Sequence, residues 1–377
     1  MINYSKQAIS SKEINAVSKV LRSNYLTQGP LVRRFEKQIS DYCKSKYSVA
    51  VNSATSGLHI ACLSLGIKKN DIVWTSAISF VASANAAVYC GARVEFIDIS
   101  LDDYNLDVSS LKKKLSEAKK NNKIPKAIIV VHFAGNPCKM DQIYLLKKKY
   151  KFKIIEDASH ALGAKFKKNL IGNCKFSDMC VFSFHPVKSI TTAEGGVVTT
   201  NNKSYYNDLK LFREHGIKRD FKNKKYRPKY YEQIKLGFNY RMNELEAAIG
   251  IQQLIKLNYF IKKRNRIYKI YKQKLNNNLF IYPNVLKNTQ SAHHLFVILL
   301  KENVKKLRDR IFLKFLKNGI GVNIHYMPIY KHPYYKKKNF FLKNSERYYN
   351  SCISIPIFPD LSKNQQFKII NLINSIK

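Results

Sequence analysis

Lys188 differs from most lysines of this chain, which lie in runs of like charge. It follows a hydrophobic β-type run, Met179 to Phe184, in the turn Ser183-Phe184-His185-Pro186-Val187-Lys188. Apolar, hydroxyl and glycine residues surround it, with no other charge until Glu194. A lysine kept from water loses its proton at a lower pH, and the neutral amine attacks carbonyl groups. Asp157 ends another strand-like run, in Glu156-Asp157-Ala158-Ser159-His160. A carboxylate there is costly unless paired; a helix N-cap role, a structural ion pair and a protonated ring nitrogen are all open to it. Thr55 and Ser56 lie in Asn52-Ser53-Ala54-Thr55-Ser56-Gly57, which leads into a helix. Hydroxyls and backbone N–H groups at a helix start bind phosphate, or simply cap the helix. No Walker lysine follows, so this is not a P-loop. Ser183 adds a hydroxyl next to the lysine turn. Phe80, in Thr75-Ser76-Ala77-Ile78-Ser79-Phe80, offers a flat face to a cofactor ring or to the core.

An amine, a carboxylate, a hydroxyl cradle and a flat ring answer the aldehyde, the ring nitrogen, the phosphate and the ring face of pyridoxal 5'-phosphate. Each match is weak alone. Together, at the ends of strands, they point to that cofactor.

The elements that must position them alternate. Strand-like runs are Ser48-Val51, Ile72-Trp74, Val94-Ile99, Ala127-Phe133, Lys153-Glu156, Met179-Phe184 and Gly196-Thr200. Helix-like segments lie at about 56–65, 80–90, 109–120 and 140–150. This pattern predicts an α/β fold with a seven-stranded, mostly parallel sheet. Ligands of such sheets sit outside the carboxyl ends of the strands, where the residues above lie. Upstream, Ser10 and Glu13 read as a capping box, and Gly29-Pro30 separates two helices. Downstream, the stretch from Arg213 to Lys235 is polar and reads as a mobile or partner-contacting loop. Asn243 then caps a long helix to about Leu275, a bridge to a smaller C-terminal α/β unit. That unit is expected to hold strands at His294-Leu300, Ile320-Ile324 and Ser354-Ile357 and helices at Val304-Asn318 and 362–376. The domains are read as 1–255 and 256–377.

Among 377 residues, 67 are lysine or arginine and 25 are aspartate or glutamate, a formal charge of +42. The excess is spread along the chain in pieces such as Lys112-Lys113-Lys114 and Lys336-Lys337-Lys338. No arginine-rich helix, aromatic RNA-binding strand or zinc finger accompanies it, which argues against a dedicated nucleic-acid binder. A basic field favours an anionic, phosphate-bearing substrate. No apolar run reaches the length of a membrane span, and no signal core follows Met1; a cytoplasmic protein without membrane contact is expected. The seven cysteines are scattered and no pair has C-x-x-C spacing. Reduced thiols are expected, with no metal site.

In sequence the chain resembles the sugar aminotransferases of the DegT/DnrJ/EryC1/StrS family, within the fold type I, aspartate-aminotransferase-like enzymes. The matching pieces are Leu26-Thr27-Gln28-Gly29-Pro30, Ala54-Thr55-Ser56-Gly57-Leu58, Glu156-Asp157-Ala158-Ser159-His160, Ser183-Phe184-His185-Pro186-Val187-Lys188, Glu194-Gly195-Gly196 and Gly237-Phe238-Asn239-Tyr240-Arg241-Met242. They span nearly the whole chain, and the His-Pro-Val-Lys form looks most like members acting in pseudaminic acid biosynthesis. The resemblance implies pyridoxal 5'-phosphate bound to Lys188, which is also the acid/base. It implies Asp157 at the ring nitrogen, Phe80 on the ring, His160 near it, and Thr55, Ser56 and Ser183 at the phosphate. Asn239 would reach the phosphate of the neighbouring subunit, giving a homodimer with a shared active site. Thr27, Gln28, His185, His325 and Tyr326 are implied at the sugar-nucleotide pocket, although His185 could serve only to shape the turn. The implied reaction moves the amino group of L-glutamate to the C4 keto group of a UDP-linked 2-acetamido-2,6-dideoxy-hexos-4-ulose. Amination at C3, a TDP- or GDP-linked sugar, or the D-xylo isomer are alternatives within the family. Dehydratase members carry histidine in place of the lysine, and Lys188 is present. A basic polyanion-binding protein without catalysis is the alternative of another class.

Overall fold

The computed structural model describes residues 1–219, 231–275, 278–336 and 340–376. Seven strands form the main sheet: β1 (Tyr47–Val51), β2 (Ile72–Ser76), β3 (Arg93–Ile97), β4 (Ala127–Val131), β5 (Lys153–Asp157), β6 (Met179–Ser183) and β7 (Gly196–Thr200). Their order is β1-β7-β6-β5-β4-β2-β3. The run from β6 to β3 is parallel, and β7 is antiparallel to both of its neighbours. Ala127-Ile128-Ile129-Val130-Val131 is buried throughout, as expected of a parallel strand covered on both faces.

Helices supply that cover. Before the sheet come α1 (Ser11–Leu21), started by the Ser10/Glu13 capping box, and α2 (Pro30–Cys43). Then follow α3 (Ala54–Ser64), α4 (Ala82–Tyr89), α5 (Val108–Lys120), α6 (Met140–Tyr150), α7 (Lys203–Arg213) and α8 (Glu244–Lys274). One core sets Phe35, Leu111, Ile143 and Leu257 against one face of the sheet; a second sets Leu58, Ala84 and Leu209 against the other. Adjacent strand residues divide between them: Ala50 and Phe182 go to the first, Val51 and Val181 to the second. This is the period-two alternation of a strand.

After α7, β8 (Ile217–Arg219) pairs antiparallel with β9 (Tyr231–Gln233). The rest of the polar stretch, 220–230, lies outside the described residues. The C-terminal unit is an antiparallel sheet of β10 (Phe280–Ile281), β11 (Phe296–Leu300) and β12 (Cys352–Ile355) in that order. It carries α9 (Arg308–Lys317), α10 (Lys343–Ser351) and α11 (Lys363–Asn374). Ile320–Ile324, expected as a strand, instead makes two isolated bridges, Ile2↔Ile320 and Asn323↔Ser354. The N-terminus supplies the first partner, with Gly321 N–H donating to Ile2 O at 2.7 Å, so no continuous ladder forms.

Residue 255 falls inside α8, whose contacts run through both units. The Glu244 carboxylate accepts the Leu31 and Val32 N–H groups at 2.8 and 3.2 Å. Gln253 Nε2 donates to Ala8 O and Glu13 Oε1, both at 2.8 Å. Arg264 is fully buried, and its Nη1 donates to Ile357 O at 2.7 Å and His294 O at 3.2 Å. Gln366 of α11 donates to Ile267 O at 2.8 Å. Among the described residues no helix is long and apolar enough to cross a membrane.

Candidate active site

The lysine turn is built between β6 and β7. Phe184 N–H donates to Gly195 O at 2.9 Å and Thr192 N–H to Phe184 O at 3.0 Å. Buried Phe184 and Ile190 anchor the turn. Lys188 N–H donates to His185 O at 2.9 Å, so His185 holds the turn through its backbone while its side chain is exposed. Burial pulls the Lys188 amine down to about 8, against the opposing pull of the Asp157 carboxylate. No ion pair or hydrogen bond engages this amine among the described residues. A lysine poised near 8 is charged or neutral at small cost, which suits an acid/base.

Asp157, buried, is the last residue of β5, between Val131 of β4 and Val181 of β6. Ser159 donates its N–H at 3.1 Å and its hydroxyl at 2.6 Å to Oδ1, and Ser83 donates at 2.6 Å to Oδ2. Ser79 contacts Ser83 Oγ at 2.7 Å. Three donors satisfy the buried carboxylate, and its remaining lone pairs can accept a protonated ring nitrogen.

The hydroxyl cradle is arranged around an N-cap. Ser53, rather than Thr55 or Ser56, caps α3 by accepting Ser56 N–H at 3.1 Å. Ser56 Oγ donates to Asn52 Oδ1 at 2.7 Å, so it serves a phosphate as a donor only by giving up that bond. Thr55 lies half-buried in the first turn, where N–H groups lack intrahelical partners. A Cβ at Gly196 would stand 2.7 Å from Ala54 N, so only glycine lets β7 pass this close to the helix start. Ser183 Oγ accepts His185 N–H at 3.5 Å.

Above the lysine stand two histidines and two rings. His160 is buried, with Nδ1 3.3 Å from Ala134 N and Nε2 3.3 Å from Tyr326 Oη. Burial, with the Lys188 and His325 charges adding to it, holds the His160 ring well below the usual imidazole range. His325 Nδ1 lies 2.8 Å from Ser354 Oγ, and burial pulls that ring down to about 3, Lys188 again adding. Phe80 is 57 % exposed, its ring centroid 6.0 Å from that of Tyr326.

Lys188, Asp157, His160, His325, Tyr326 and Phe80 thus share one place, with Thr55, Ser56 and Ser183 along the neighbouring strand ends. Thr27, Gln28 and Asn239 are exposed. Gln28, in the loop before α2, lines a cavity of about 1110 Å³ together with Arg33, Lys210, Arg213, Arg241 and Met242. Arg213 there donates to Glu36 and Glu214, each at 2.6 Å. Burial opposes its charge, but the two carboxylates outweigh it and raise its pKa. Asn239 bridges to Glu214, and Tyr240 beside it accepts Asn52 N–H at 2.9 Å. The sequence reading passes over Ser83, Ser159 and His294. Ser83 carried a faint signal, a hydroxyl opening the helix after Phe80, and Ser159 a local one, a hydroxyl two residues after Asp157; His294, whose ring centroid lies 4.4 Å from that of His160, comes from the C-terminal unit and carried none.

Two sets of observations fit pyridoxal phosphate: an unpaired, desolvated amine facing a carboxylate with lone pairs to spare, and a glycine-tight helix start with free N–H groups. A model of the DegT/DnrJ/EryC1/StrS aminotransferase family matches residues 7–374. The chain belongs to that family. Its members depend on pyridoxal phosphate. One relative in Campylobacter jejuni, named UDP-4-amino-4,6-dideoxy-N-acetyl-beta-L-altrosamine transaminase, is 40% identical over 365 residues, covering 96% of this chain and 94% of the relative. Among solved structures, Helicobacter pylori PseC, an aminotransferase involved in the biosynthesis of pseudoaminic acid, is 32% identical with a TM-score of 0.90, covering 99% of this chain and 98% of its own. The pyridoxal-phosphate form of Spr1654 from Streptococcus pneumoniae, a putative sugar aminotransferase, is 26% identical with a TM-score of 0.90, covering 99% of this chain and 98% of its own. The aminotransferase fold is therefore the one expected from the seven-stranded sheet.

Proposed function

We propose that this aminotransferase moves the amino group of L-glutamate to the C4 keto group of a UDP-linked 2-acetamido-2,6-dideoxy-hexos-4-ulose, in pseudaminic acid biosynthesis. The observation that carries the chemistry is the Lys188 amine, held near 8 and facing Asp157. The choice of sugar is supported by the 40% identity to the Campylobacter jejuni transaminase. When bound, pyridoxal phosphate supplies the carbon that takes the amino group and a ring that accepts the electron pair. Lys188 would hold the cofactor at that carbon. Displaced by glutamate, its amine takes the α-proton, and in the second half-reaction it delivers a proton to C4 of the sugar. Asp157, fixed by Ser83 and Ser159, keeps the ring nitrogen protonated. Phe80 would cover one ring face, His160 would lie near the ring, and Thr55, Ser56, Ser183 and the α3 start would hold the phosphate. His325 and Tyr326 line the sugar pocket.

The same reading makes the enzyme a homodimer. Gln28 and Asn239 are exposed in one chain, and a second copy would place them at its partner's sugar pocket and phosphate. The cationic cavity beside them suits a diphosphate approaching between subunits.

The test is amine formation, read by mass spectrometry, with L-glutamate and the UDP-β-L-arabino ketosugar, the UDP-α-D-xylo isomer run alongside. Turnover of the L-arabino sugar, lost in Lys188→Ala, is the expected result. Turnover of the D-xylo isomer alone would keep the chemistry and reject the pathway.

A further inference from the structure

The hydrogen bonds of His160 fix the direction of a proton. A backbone N–H can only donate, so the Ala134 N–H, 3.3 Å from His160 Nδ1, requires that nitrogen to be a lone pair. The ring is buried near Lys188 and His325 and is neutral, so its one proton sits on Nε2. Nε2 lies 3.3 Å from Tyr326 Oη and donates to it. The phenol's own hydrogen cannot then point back at His160. No other hydrogen bond engages Tyr326 Oη among the described residues. Its ring stands between those of Phe80 and His160, with centroids 6.0 and 6.2 Å away. Burial, Tyr4 and Asp157 raise the phenol's pKa, so it stays protonated through the working pH range.

We propose that Tyr326 is a directed hydrogen-bond donor to the keto oxygen of the sugar, its direction set by a relay from the Ala134 N–H through His160. This rests on the ketosugar reading above. As the amino nitrogen bonds to the keto carbon, the carbonyl π-pair moves onto oxygen. A pre-aimed hydroxyl stabilises that charge without reorganising, and keeps its proton. His160 is here a positioning residue: it touches no reacting atom in this step but removes the phenol's alternative orientation. The glutamate half-reaction releases its keto acid by the reverse of this step, with the same charge on oxygen, so the donor serves both half-reactions; removal of the glutamate α-proton comes before that charge and does not use it.

The experiment has two arms. In the first, the cofactor-free protein with ¹⁵N-labelled histidine is followed by NMR. His160 is expected as the Nε2–H tautomer, unchanged between about pH 6 and 8. An Nδ1–H tautomer, or protonation in that range, overturns the relay. In the second arm, the two half-reactions are timed separately by the cofactor's absorbance. Tyr326→Phe should slow the sugar half-reaction by roughly 100-fold, the usual loss for one pre-aimed donor, and change the exchange of the glutamate α-hydrogen with solvent by less than about 3-fold. His160→Gln, with an acceptor and a donor on one planar amide, should lose less in the sugar half-reaction than His160→Leu. An equal loss in the α-hydrogen exchange, or no loss in the sugar half-reaction, overturns the donor. The probe is whichever UDP-linked ketosugar the wild-type enzyme turns over. Failure of the L-arabino sugar therefore counts against the function proposed above, whereas the ratio of Tyr326→Phe to wild type counts for or against the donor.

Discussion

The carboxyl ends of β5 and β6 and the cavity beside α7 are both rich in cations, and they treat charge in opposite ways. Around Lys188, burial dominates: the amine falls to about 8, and His160 and His325 are held neutral. Around Arg213, partners dominate: Glu36 and Glu214 more than offset burial, and the guanidinium keeps its charge. The Lys188 amine in the first region can exchange a proton near neutral pH and so can do chemistry. Groups in the second can attract an anion and hold the fold, but transfer nothing. The decisive feature is the carboxylate count close to each cation, one at a distance for Lys188 and two in contact for Arg213.

The sharpest break is Lys188→Ala. Turnover should fall by at least ~10⁴-fold, since both acid/base and covalent attachment are lost, and the visible band of the bound cofactor should vanish. Retained turnover would move the chemistry elsewhere. Arg213→Met exchanges the roles. Leaving Glu36 without its partner should lower stability by ~3 kcal/mol in urea melts, while the cofactor band of the folded protein stays in place. A variant that kept its stability and lost the band would put Arg213 with Lys188 after all.

Acid tests the buried imidazoles. His293 and His325 have folded values near 3, set by burial, Arg264 adding for His293 and Lys188 for His325. The unfolded chain binds these protons near 6.5, so between about 6.5 and 3 it holds more protons than the native state. Stability is full above 6.5 and declines as pH falls toward 3, by up to ~1.4 kcal/mol per pH unit for each group. Melts of the cofactor-free protein should show this decline, weakened in His325→Gln. The smallest effect concerns a thiol outside both regions. The Cys62 thiol, against burial and with His59 helping, pulls Cys90 down to about 6, whereas burial pushes Cys174 and Cys352 up to about 12. At pH 7 a maleimide should therefore reach Cys90 first, as peptide mapping would show; first labelling at any of the six buried cysteines would contradict it.

Much of the first region is legible in the sequence, because in a parallel sheet chemistry collects where strands end. Asp157 follows Ile155, and the turn carrying Lys188 follows Phe184; apolar runs locate both. Less was legible where two distant segments had to be paired first. Ser83 reaches Asp157 only because β4 lies between β2 and β5. The Ala134 N–H that orients His160 belongs to a turn no periodicity marks. Ser53, not Thr55, became the cap of α3, since cap choice depends on a single backbone angle. Ile320–Ile324 reads as a strand by composition, but the N-terminus takes one of its pairing positions.

The long helix α8 binds these parts into a single cooperative unit. At 31 residues it extends ~46 Å; its side chains hold α2, α1 and the entry to the C-terminal sheet in turn, and its Ile267 carbonyl accepts Gln366 of α11. None of these grips tolerates a change of phase. One residue inserted between Gln253 and Arg264 would rotate everything beyond it by ~100°, swinging Arg264 away from the carbonyls of His294 and Ile357. The two units are therefore expected to melt in one transition, not two, and that single insertion should split it.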